Sequence, residues 1–109
     1  LLSQDERFPM SELCLTLVCP PEVEEKLLDL LLLWPGATIF TSTATAAHGL
    51  AHESLDQTEQ VLGRARATEV QVICAAAGQA ALLAALRQQF SGVGLRYWVT
   101  PVVEAGEIA

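Results

Sequence analysis

Twice along this chain an alternating apolar run passes straight into a helical repeat, and that doubled pattern limits the folds open to it. Over residues 12–19, Leu13, Leu15, Leu17 and Cys19 alternate with Cys14, Thr16 and Val18. This is the period of a strand with one strongly apolar face and one mixed face. Pro20-Pro21-Glu22 then opens a helix: proline is tolerated in the first turn, and Glu22, Glu24 and Glu25 suit the positive end of the helix dipole. Val23, Leu27, Leu30, Leu31 and Trp34 fall on one helical face, and Pro35-Gly36 ends the run. The second unit repeats the order. Val70, Val72 and Cys74 alternate with Glu69, Gln71 and Ile73 across residues 67–75. A helix from Gly78 to Phe90 follows, with Leu82, Leu83, Leu86 and Phe90 on one side and Ser91-Gly92 as its stop.

Two further strands complete the pattern. Residues 37–43 are β-branched and aromatic, and residues 93–103 form a last apolar strand. Pro101 cannot donate to a ladder, which marks that strand as an edge strand or as one bent there. The order is β-α-β-β-α-β. With right-handed crossovers it predicts an α+β, ferredoxin-like fold: a four-stranded antiparallel sheet with both helices on one face. Leu13, Leu15, Leu17, Val70 and Val72 are expected under the helices. Cys14, Thr16, Val18, Gln71, Ile73 and either Trp98 or Tyr97 are expected on the open face. That face is too apolar to stay wet and too polar for a second core layer, so a homo-oligomer assembled through the sheet is expected. Cys19 and Cys74 are expected to end parallel, neighbouring strands on the helix side as a close thiol pair.

The 109 residues suit one domain, residues 11–109, with residues 1–10 read as a disordered extension. A hydrophobic content of 51% supplies ample core and excludes a disordered chain. A net charge of −7 excludes a basic nucleic-acid footprint. The start of the sequence lacks the basic-then-apolar order of a signal peptide, and the apolar run 27–34 is too short to enter a membrane as a span. Three cysteines without Cys-x-x-Cys spacing indicate neither a disulfide framework nor a zinc site, so a cytoplasmic location is expected.

Residues 43–66 are the exception to this core-like chain and are expected to form a long inter-strand loop with a Thr/Ala entry. They hold both histidines. His48, His52 and Glu53 offer imidazole and carboxylate donors that a divalent transition metal accepts. Ser54-Leu55-Asp56-Gln57 reads as a capping box for a short helix ending at Gly63. Arg64 and Arg66, at spacing two, point the same way and suit a carboxylate or phosphate. An intersubunit ion pair with Glu104 or Glu107 is the competing reading. Gly92 and Gly94 flank a turn able to present backbone N–H groups to an anion.

Gly92-Val93-Gly94, the apolar strand after it, and Pro101-Val102-Val103-Glu104-Ala105 resemble the end of PII nitrogen-regulatory proteins. The element order with a long loop between strands two and three is similar to PII and its CutA-like relatives. His48-Gly49, His52-Glu53, Gly63-Arg64, Arg66 and Leu95-Arg96-Tyr97-Trp98-Val99 resemble a group of small PII-like proteins often encoded beside heavy-metal efflux pumps. The resemblance implies a homotrimer with ligand clefts between subunits. It also implies a mobile loop that touches a partner, here a membrane efflux transporter in heavy-metal resistance. It implies a non-enzymatic signal-transduction role, with a metal ahead of an adenine nucleotide as ligand. Two positions depart from PII: Leu95 stands where a phosphate-gripping lysine would follow the turn, and residues 43–47 replace a glycine-rich cradle. Arg64 and Arg66 lie about where another such lysine falls. A ferredoxin-like dimeric enzyme, such as a small monooxygenase with a pocket between sheet and helices, is the alternative class.

Overall fold

The computed structural model describes residues 12–49 and 64–109. The elements run β1 (Glu12–Cys19), a 3₁₀ turn and α1 (Glu24–Leu32), β2 (Ala37–His48), and β3 (Arg64–Ala75). A second 3₁₀ turn, α2 (Gln79–Phe90) and β4 (Arg96–Pro101) follow. All strand pairs are antiparallel and the sheet order is β2-β3-β1-β4. This is the ferredoxin-like arrangement expected from the periodicities, with β4 and its Pro101 at an edge.

The core lies between the sheet and the two helices. Leu15, Leu17, Val70 and Val72 from the central strands are fully buried, as are Leu27 and Leu82 from the helices. Leu31, Leu83, Leu86 and Phe90 close around them, and Trp34, Phe40 and Val99 pack at the margins. Each fully buried leucine or valine contributes on the order of 1.5–3 kcal/mol of transfer free energy, so this layer holds the sheet to the helices.

On the open face, register sets Thr16 between Gln71 and Trp98. Trp98, not Tyr97, is therefore the open-face aromatic; Tyr97 pairs with Leu17 on the helix side. Thr16 is buried there, while Ile39 and Trp98 are 63% and 49% exposed.

The structure corrects three expectations. β2 continues as strand through His48, and β3 begins at Arg64, so the segment read as a loop from 43 to 66 is strand at both ends. Thr and Ala alternate there without a large side chain, which hid the strand from a reading based on apolar period. Pairing with residues 64–68 satisfies its backbone groups. The last strand is shorter than residues 93–103, because a turn occupies residues 91–94. The cysteine expectation fails: β1 and β3 run antiparallel, Cys19 lies opposite Thr68, and Cys74 lies opposite Leu13. The two thiols are buried at opposite ends of the sheet. The disordered extension expected over residues 1–10 lies outside the described residues, and so does the capped helix expected from Ser54 to Gly63.

Candidate functional site

Beyond Thr68, β2 is the only partner of β3 among the described strands, because β1 ends with Cys19 opposite Thr68. Residues 44–48 and 64–67 thus form a two-stranded ribbon that outruns the sheet. Within it His48 pairs with Arg64, and Ala46 pairs with Arg66. Strand alternation puts His48, Arg64 and Arg66 on one face of the ribbon. All three are exposed, while Ala65 and Ala67 between and beside the arginines are buried. The expectation that the two arginines point together is met by this geometry. His52 and Glu53, the other members of the expected metal set, lie outside the described residues. Among the described residues no three His, Cys, Asp or Glu side chains gather as a metal cluster.

The ribbon is anchored where it leaves the sheet. The buried Thr68 hydroxyl donates to Glu24 Oε1 across 2.6 Å, tying β3 to the first turn of α1. Nearby, burial pushes the Cys19 thiol above its ordinary pKa, with the charges of Glu24 and Glu22 adding to it. Burial does the same to Cys74, reinforced by Cys14 and Glu12. Both groups stay protonated at neutral pH, which suits core packing and not nucleophilic attack.

The Gly92–Gly94 turn lies at the same end of the sheet as the ribbon but at the opposite edge. Gly94 leads into β4, and β1 stands between β4 and β3. Two strand spacings amount to roughly 10 Å, so one chain does not bring these glycines onto Arg64 and Arg66. Both glycines take left-handed backbone angles, φ 82° and 84°, which accounts for their identity without a ligand.

The turn instead borders a cavity of about 390 Å³ between the C-terminal half of α2 and the start of β4. Leu17, Leu83, Leu86 and Phe90 form its inner wall, and Leu95 and Tyr97 its outer one. Arg87 stands at the rim. One of its nitrogens donates to the Tyr97 hydroxyl at 3.1 Å, and the guanidinium carbon lies 5.9 Å from the centre of the Tyr97 ring. Arg87 was missed in the sequence because it sits on the polar side of an ordinary amphipathic helix. Its meeting with Tyr97 depends on how α2 lies along β4. A second, shallower groove of about 610 Å³ runs between the helices past Lys26, Asp29 and Trp34.

Comparison with known proteins fits this geometry. The sequence model of a family described as a protein of unknown function, DUF3240, matches residues 10–109. Among solved structures, the chain is similar to a DUF3240 family protein from Shewanella baltica. The identity is 21%, covering 91% of this chain and 98% of that chain, with a TM-score of 0.76. It is similar to a Bacillus cereus protein related to NIF3, at 16% identity over 89% of this chain and 26% of that chain, with a TM-score of 0.68. A Thermus thermophilus protein described as PII-like and signalling shares 17% identity over 84% of this chain and 86% of that chain, with a TM-score of 0.61. At these identities the likeness is one of fold. No functionally curated protein matches. With the family model spanning all but the first nine residues, the chain belongs to the DUF3240 family.

Proposed function

We propose that this protein is a PII-like regulatory protein without catalytic activity of its own. It binds a small ligand at residues 43–66 and signals through that segment to a metal efflux or other membrane transport system. The observation that carries this reading is the ribbon, which stands clear of the sheet and presents His48, Arg64 and Arg66 on one face. Its fold likeness to a protein described as PII-like and signalling supports the same class. In this reading a divalent transition metal takes His48 together with His52 and Glu53, using neutral imidazole and carboxylate donors. The partner reads the change in the segment, and the assembly is a cytoplasmic homotrimer.

One feature favours a second ligand class. Arg64 lies directly across from His48, and a dication beside a guanidinium is repelled, whereas an anion is held. Arg64 and Arg66 together suit the phosphates of an adenine nucleotide or a small carboxylate.

Calorimetry separates the two. Zinc, copper, nickel and cobalt titrated into the whole protein are expected to give binding heat that the double variant His48→Ala, His52→Ala removes. ATP and ADP heats removed by Arg64→Ala with Arg66→Ala, but kept in the histidine variant, would transfer the site to an anion. If neither series shows saturable heat, ligand sensing at this segment is wrong.

A further inference from the structure

We propose that the cavity between the C-terminal half of α2 and β4 binds a small amphipathic monocarboxylate. Its acid head lies on Arg87 and Tyr97, and its apolar body lies against Leu83, Phe90 and Leu95. None of residues 43–49 and 64–66 lines this cavity, and the proposal does not depend on the function proposed for residues 43–66.

Size, polarity and charge lead to that ligand. At about 390 Å³ the cavity falls within the range of small-molecule sites. Its inner wall is leucine and phenylalanine, all of it continuous with the core. A ligand that reaches it must bring apolar surface to bury.

Charge stands at one place on the rim. Arg87 is the sole charged side chain among the described residues lining the cavity. Tyr97 is the partner the guanidinium meets, and among the described residues no carboxylate pairs with it. A guanidinium carries five N–H donors, so several remain after the one given to Tyr97.

The tyrosine adds direction. Its oxygen accepts from Arg87, which leaves the phenolic hydrogen available to donate. Arg87 and Tyr97 together thus present two kinds of donor to one acceptor group, the requirement of a carboxylate with two oxygens. The hydrogen bond to Tyr97, with the guanidinium carbon 5.9 Å from the ring centre, orients the guanidinium before a ligand arrives, which lowers the ordering cost of binding.

The count of charges narrows the class further. One guanidinium on a chain of net charge −7 balances one negative charge, and a polyanion meets repulsion from the rest of the molecule. A nucleotide or inorganic phosphate therefore fits less well than a monocarboxylate with an aliphatic or aryl body.

The test is an amide NMR titration of the full chain with sodium octanoate. 1-Octanol and inorganic phosphate serve as comparators. Octanoate is expected to give saturable shifts at α2, the 91–95 turn and the start of β4. Arg87→Gln, at an exposed position that leaves the core intact, is expected to weaken binding by about tenfold or more, as loss of a charge-assisted pair does. Tyr97→Phe keeps the ring beside Arg87 and removes the hydroxyl, with an expected loss of a few-fold. Any of four results overturns the proposal. They are no saturable shift at millimolar octanoate, equal affinity in Arg87→Gln, octanol binding as tightly as octanoate, or phosphate producing the same shifts.

Discussion

Thr68 holds the point at which the hairpin leaves the body of the protein. Its hydroxyl is buried and donates to a carboxylate, a bond stronger than a neutral pair because the acceptor is ionised. Thr68→Val keeps the shape and leaves the Glu24 carboxylate without that donor. The expected loss is about 1–3 kcal/mol of global stability, read as a lower urea midpoint with unchanged slope. Amide protection along residues 64–67 should fall in the same variant, because the bond pins the ribbon's base. An unchanged midpoint would show that water replaces the threonine at no cost. The buried cysteines show the other side of residue-scale chemistry. Burial and neighbouring acids hold Cys19 as a thiol, so its place in the core is one of packing.

Among the elements, the entry to β2 is the most constrained. Gly36 has φ 88°, its carbonyl accepts from the Ala75 amide at 3.3 Å, and the strand then carries an irregularity between Ala37 and Ile39. A side chain at Gly36 has room, since its Cβ would meet Ala75 Cβ at 3.8 Å. The penalty is conformational. Gly36→Ala is expected to cost about 1–2 kcal/mol, measured by thermal or urea unfolding. A neutral result would mean the turn relaxes to a negative φ, and the register of Ile39 opposite Ile73 would then be expected to shift. At the far end, among the described strands the ribbon keeps only the pairing of β2 with β3, for β1 has already ended. That makes it the part of the sheet best suited to change on binding.

At the scale of the whole molecule, one face of the sheet is unpaired by any described element of the chain. Cys14, Val18 and Ile73 are half-buried on it, and Ile39 and Trp98 are largely open to solvent. β2, at the sheet's edge, carries no proline, acid or lysine from Ala37 to His48 that would discourage strand pairing. Both features favour self-association, in line with the proposed homotrimer. Sedimentation at micromolar concentration is expected to give trimers, and Trp98→Glu is expected to give folded monomers. Monomeric wild type would remove the intersubunit clefts from the reading. No described helix is long and apolar enough to cross a membrane, which leaves membrane-spanning strands unaddressed.

The order of the elements and the face each helix buries were legible in the sequence, and Pro101 narrowed β4 to an edge strand or a bent one, of which the sheet order shows the edge. They follow from local periods, 2 for strands and 3.6 for helices, and from a proline that cannot serve a central ladder. Leu15, Leu17, Val70 and Val72 lie under the helices as their alternation required. Pairing was less legible. The strand through residues 44–48 has weak intrinsic preference and exists because β3 lies beside it. The choice of Trp98 over Tyr97 for the open face rests on a one-residue register that no local signal sets. The same is true of the Gly92–Gly94 turn. Its Gly-x-Gly pattern marked a turn able to present backbone N–H groups to an anion, and only the packing of α2 along β4 sets that turn beside Arg87 and Tyr97. Local pattern decides what each segment becomes; which charges meet is decided by contacts between residues distant in sequence, and those exist only once the sheet has closed.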